Sequence, residues 1–184
     1  MLYRVVYRTE QPVDRDDFVN DKTGIACAVS KWENHYYTYI ETDGKDSDIY
    51  NKFDESERMY EIFHYVPLLE KDEWISDRKG TKGNFRFIKL RPEMFASYIF
   101  QHFRYQEEAR GERTNHPSIF CFGNQLAIYE EPPYVKIDPK IEGSLSTNDT
   151  DYDNWQEYMN QHFMPGDKWT HGEYIYSYYV EKED

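Results

Sequence analysis

In the second half of the chain, apolar residues gather in four short runs that are rich in β-formers. Residues 84–90 set Phe85, Phe87 and Ile88 among polar neighbours, after a flexible stretch from Gly80 to Gly83, and this predicts a strand. Residues 118–122 and 125–131 are rich in β-formers and are separated only by Gly123 and Asn124, the mark of a hairpin, with Pro132 and Pro133 ending the second arm. Residues 173–181 set Tyr174, Tyr176, Tyr178 and Val180 against Ile175, Ser177 and Tyr179, as a strand requires. Between these runs the period becomes helical. Met94, Phe95, Tyr98, Ile99 and His102 follow Arg91-Pro92-Glu93, where an early proline loses no hydrogen bond and glutamate complements the helix dipole, and Gly111 is the expected stop. A second helix is predicted over 153–163, capped by Asp151 or Asp153 and ended by Pro165-Gly166, after a polar loop over 136–152.

The first half repeats this pattern more faintly. Residues 2–8 read as a strand, 13–19 as a short helix, and 24–29 with 35–41 as an antiparallel pair. Residues 54–64 read as a helix, with Asp54 as N-cap, Glu57 three residues on as in a capping box, and Pro67 beyond its end. A last strand falls near 73–77, and 76–83 reads as a linker. Each half then has the order β-α-β-β-α-β. The expectation is an α+β chain of two tandem ferredoxin-like lobes, residues 1–79 and 80–184, packed as a pseudodimer of the dimeric α/β-barrel type.

Composition changes the picture in three ways. Aromatic residues make up 18% of the 184, so the core must be built largely from tyrosine and phenylalanine, whose polar tips often line a cleft. A net charge of −13 argues against nucleic acid and against anionic membranes, and favours a neutral or cationic small ligand. No apolar run reaches the roughly 20 residues that span a bilayer, and residues 1–4 show no signal-peptide pattern, which points to the cytoplasm. Cys27 and Cys121 stand alone in strand-like runs and read as buried free thiols.

Three of the six histidines lie four residues after a tyrosine: Tyr60/His64, Tyr98/His102 and Tyr158/His162. The last two pairs extend to a shared Tyr-x-x-Gln-His-Phe, ending at Phe103 and Phe163. On a helix such a pair sets a phenol beside an imidazole, which together donate and accept protons near neutral pH without a metal or cofactor. Tyrosine supplies 18 residues of the chain, so packing alone also produces such pairs. His35, His116 and His171 do not cluster with carboxylates at zinc-ligand spacing, and no metal, haem or phosphate-binding loop is expected.

Residues 84–181 resemble the L-rhamnose mutarotase family. The run Phe85-Arg-Phe-Ile-Lys-Leu-Arg-Pro-Glu93 is similar to that family's opening strand and helix entry. Tyr98-x-x-x-His102, the hairpin from Ser118 through Ala127, and Asn154-Trp-Gln-Glu-Tyr-Met159 follow in the family's order. The resemblance implies a cofactor-free, ferredoxin-like protein that interconverts sugar anomers, with Tyr98 and His102 as its catalytic pair. Trp155, Tyr158 and Arg86 are the candidate ligand contacts, with core packing as the competing expectation for Trp155 and Tyr158 and a surface position for Arg86, and a homo-oligomer is allowed for. Gln106 and Gln156 stand where the family has tryptophan, and Ser97 where it has glutamate, so the sugar can differ from rhamnose.

Mutarotation opens a hemiacetal by removing the anomeric proton while protonating the ring oxygen. It needs one base and one acid within reach, and His102 can serve as either. The competing expectation is a non-catalytic ferredoxin-like protein that binds a small molecule or a partner. Haem-degrading and quinone-forming monooxygenases share the topology and form a third. Fold alone does not choose among them.

Overall fold

The computed structural model describes residues 3–21, 24–44, 48–64, 82–108, 118–131 and 155–179; the side chains of 105–108, 155 and 156 lie outside this description. The elements are β1 (Tyr3–Thr9), α1 (Arg15–Val19), β2 (Gly24–Trp32), β3 (His35–Thr42), β4 (Arg58–His64), β5 (Asn84–Lys89), α2 (Phe95–Glu108), β6 (Ser118–Phe122), β7 (Gln125–Glu130), α3 (Trp155–Asn160), β8 (Thr170–His171) and β9 (Glu173–Tyr179). Short 3-10 turns precede β4 and α2.

All the strands join one antiparallel sheet in the order β8-β5-β7-β6-β4-β1-β3-β2-β9. β8 and β9 are separated only by Gly172, so one bent run of chain pairs with β5 at one edge and with β2 at the other, and the sheet nearly closes into a barrel. The first four strands lie in the order β4-β1-β3-β2, and β5 to β8 lie in the order β8-β5-β7-β6.

Closure gives every strand an inner and an outer face, and the period-two pattern is sorted accordingly. Val6, Ala28, Tyr37, Tyr39, Met59, Phe85, Phe87, Phe120 and Tyr129 fill the interior. Val5, Tyr7, Phe18, Cys27, Val29 and Ile40 form a core outside β1–β3, under α1. Ile88, Leu90, Ile119, Leu126 and Ile128 form another outside β5–β7, packed against Tyr98, Met159 and Phe163. Cys27 and Cys121 are free and buried. No helix among the described residues is long and apolar enough to cross a membrane.

One predicted helix is a strand. Asp54 does cap, accepting from Ser56 N at 2.8 Å, but it caps only the 3-10 turn Glu55–Glu57. From Arg58 the chain runs as β4 between β1 and β6. Met59 turns into the barrel and Phe63 onto the outer core, a change of face allowed by an irregularity between Glu61 and Phe63. Two vacant strand edges outweigh the capping signal at Asp54. Tyr60 and His64 therefore stand about 13 Å apart along a strand rather than side by side on a helix. The strand expected near 73–77, the stop at Gly111 and the loop over 136–152 fall outside the described residues.

Candidate acid–base site between α2 and α3

The two Tyr-x-x-Gln-His-Phe motifs meet each other. α2 turns Tyr98, Gln101 and His102 inward and leaves Phe100 and Phe103 exposed. The end of the second motif is drawn in by backbone bonds: Arg91 N donates to His162 O at 2.9 Å, Met164 N donates to Lys89 O at 2.9 Å, and Leu90 bridges Phe163. This fixes the turn after α3 against the entry to α2. The helical pair Tyr98/His102 on α2 then faces Tyr158 on α3 and His162 in the turn that follows it, α3 ending at Asn160 and not at the expected 163. Ser97 Oγ lies 2.9 Å from His162 Nε2, and Gln101 Nε2 donates to the Tyr158 hydroxyl at 2.8 Å. Gln101 is 7% exposed, and its Oε1 has no hydrogen-bond partner among the described residues.

Tyr98 sits at the centre. Its ring lies 4.3 Å from that of His102, 6.1 Å from His162 and 5.9 Å from Phe163. Each histidine hydrogen-bonds a backbone carbonyl through Nδ1: His102 to Tyr98 O at 2.8 Å and His162 to Met159 O at 3.2 Å. A carbonyl can only accept, so in each neutral ring the proton is on Nδ1 and the lone pair on Nε2. Burial, with the Arg91 charge as a further contribution, pushes the His162 imidazole below its usual range. It is therefore neutral, and basic at Nε2, near pH 7. Tyr98 is 1% exposed and His102 6%, so both are closed to bulk water.

Of the residues expected at the site, Tyr98, His102 and Tyr158 are brought together. Arg86 stands apart. It lies on the outer face of β5, where its guanidinium forms a two-pronged pair with Glu130 and sits 5.3 Å over the Trp169 ring. Trp169 packs on Phe163, so Arg86 reaches Tyr98 only through two intervening rings. Trp155 opens α3, but its side chain falls outside the described residues. Ser97, Gln101 and His162 complete the cluster; the repeated motif pointed to the last two.

A second polar cluster, inside the barrel, was not anticipated. Tyr39 and Tyr129 stack at 3.7 Å with an interplanar angle of 11°. Each hydroxyl donates to the glutamate two residues on, Glu41 and Glu131, at 2.7 Å. Arg4 lies 3.5 Å from the fully buried Glu41, and Tyr129 OH lies 3.1 Å from Tyr179 OH. The sequence does carry a signal for it: Tyr-x-Glu begins five residues beyond each hairpin turn, after Asn34 and after Asn124. Among the described residues no group of three or more His, Cys, Asp or Glu side chains could hold a metal ion.

No family model matches the chain, and no curated protein matches it. A solved structure of an anthrone oxidase-like protein aligns with it at a TM-score of 0.42 and 8% sequence identity, over 98% of this chain and 94% of that one.

Proposed function

We propose that the chain is two tandem ferredoxin-like lobes, residues 1–79 and 80–184, forming an internal pseudodimer. Its second lobe then carries a cofactor-free acid–base site for a small neutral aldose, interconverting anomers. The strand orders β4-β1-β3-β2 and β8-β5-β7-β6 support the lobes, since both are the 4-1-3-2 order of that fold. So does the register: Val6 pairs with Tyr39 as Phe85 pairs with Tyr129. The observation that carries the function is the meeting of the two Tyr-x-x-Gln-His-Phe motifs, which sets two imidazoles of defined tautomer 4.3 Å and 6.1 Å from the Tyr98 ring. Opening a hemiacetal and closing it on the other face requires only such donors and acceptors.

The burial of Tyr98 and His102 favours a second reading, a non-catalytic ferredoxin-like protein that binds a small molecule or a partner, in which this cluster only packs α2 against α3. Anomer exchange measured by saturation-transfer NMR near neutral pH, across L-rhamnose and a panel of aldoses and deoxyaldoses, separates the two. For the mutarotase, His102→Ala removes most of the enhancement, about 10²-fold or more, and Tyr98→Phe a large part of it. Wild-type protein that accelerates no sugar in the panel leaves the binding reading.

A further inference from the structure

His162 and Ser97 are built differently from the pair the sequence singled out. His162 is fully buried, and its Nδ1–H is engaged by the Met159 carbonyl, so the group facing Ser97 is an acceptor nitrogen. At 2.9 Å the Ser97 hydroxyl must be the donor in that bond. Ser97 itself is only partly buried, whereas Tyr98 and His102 are almost closed. A reachable hydroxyl whose proton points at a neutral imidazole held behind it is an activated hydroxyl.

We propose that Ser97 and His162 form an acid–base dyad in which Ser97 Oγ is the atom that meets the ligand. The inference rests on the acid–base reading above and deepens it. On an aldose, the anomeric O–H bond breaks and its proton passes to Ser97 Oγ, while the Ser97 proton passes to His162 Nε2. The anomeric oxygen then forms the carbonyl as the ring C–O bond breaks, and the ring oxygen takes the proton of the Tyr98 phenol, since the one proton of the neutral His102 ring is held by the Tyr98 carbonyl. Ring closure on the opposite face returns both protons, and no oxidant or reductant is consumed. The groups facing His162 are Ser97 and Tyr98 from α2, Tyr158 and the Met159 carbonyl from α3, and Arg91 from the segment before α2.

The test uses an acylating probe, p-nitrophenyl acetate, on the full chain. Attack by Ser97 Oγ on the ester carbonyl releases p-nitrophenolate and leaves an acetylated serine, with the serine proton carried off through His162. The expected result is a stoichiometric burst, with the acetyl group on Ser97 by peptide mass spectrometry. His162→Gln, with its fold checked by circular dichroism, slows that acetylation about 10²-fold or more, and Ser97→Thr retains it. Unmodified Ser97 in the wild type, or equal labelling in His162→Gln, overturns the dyad, because a hydroxyl that merely pins α3 to α2 is no more reactive than a surface serine. Sugar exchange is read separately. Acetylated Ser97 in a protein that exchanges no aldose keeps the dyad and sinks the mutarotase reading. Undiminished exchange in Ser97→Ala keeps that reading and sinks the dyad.

Discussion

Tyr60 and Tyr158 each precede a histidine by four positions, yet only Tyr158 lies on a helix and reaches another functional group. Tyr60 is 61% exposed on β4, with the Arg58 guanidinium 5.8 Å from its ring centroid, and His64 is also exposed. Tyr60→Phe and His64→Ala are therefore expected to change stability by no more than about 0.5 kcal/mol in urea titrations, and to leave any sugar exchange unchanged. His162 is the opposite case. Its folded-state pKa lies below that of the unfolded chain, so the unfolded state takes up the proton first as the solution is acidified. Its contribution is complete above about pH 6.5 and is lost as pH falls from there toward the folded pKa. The melting temperature of the wild type should fall across that window, and His162→Asn should fall less steeply. Glu61 works with the other sign. Burial raises its carboxyl, so its contribution is present below the usual carboxylate range and is lost as pH rises through the folded pKa.

At the level of elements, most of the second half was legible because its signals are local. The hairpin turn at Gly123-Asn124, the proline at the entry to α2 and the period-two run into β9 each decide a conformation within a few residues. β4 was not legible, because Arg58 to His64 becomes a strand only by filling the place between β1 and β6, which are distant in sequence. The candidate site was half legible. Repetition named both motifs, but that they face one another depends on the backbone bonds from Lys89 and Arg91 to the turn after α3. Gly172 sits where the chain passes from the β5 edge to the β2 edge. A Cβ on it would lie 3.0 Å from both Phe87 and Ser30, packed side chains of the barrel interior. Gly172→Ala should cost about 1–3 kcal/mol in equilibrium unfolding, by overpacking where neither neighbour can yield.

For the whole molecule, the interior core decides how the chain comes apart. Val6, Tyr37, Tyr39 and Met59 from the first half interdigitate with Phe85, Phe87, Phe120 and Tyr129 from the second. Neither half can open without exposing the other's aromatic face, so calorimetry should show one cooperative transition with equal calorimetric and van't Hoff enthalpies. Two resolved transitions would mean that the outer cores hold each half independently. The Tyr39–Tyr129 stack joins the halves at their centre, and its rings are close and nearly parallel enough for their ultraviolet transitions to couple. The barrel thus contains its own optical gauge: a near-ultraviolet circular dichroism signal that belongs to the pair, weakens in Tyr39→Leu or Tyr129→Leu alike, and vanishes when the two halves part.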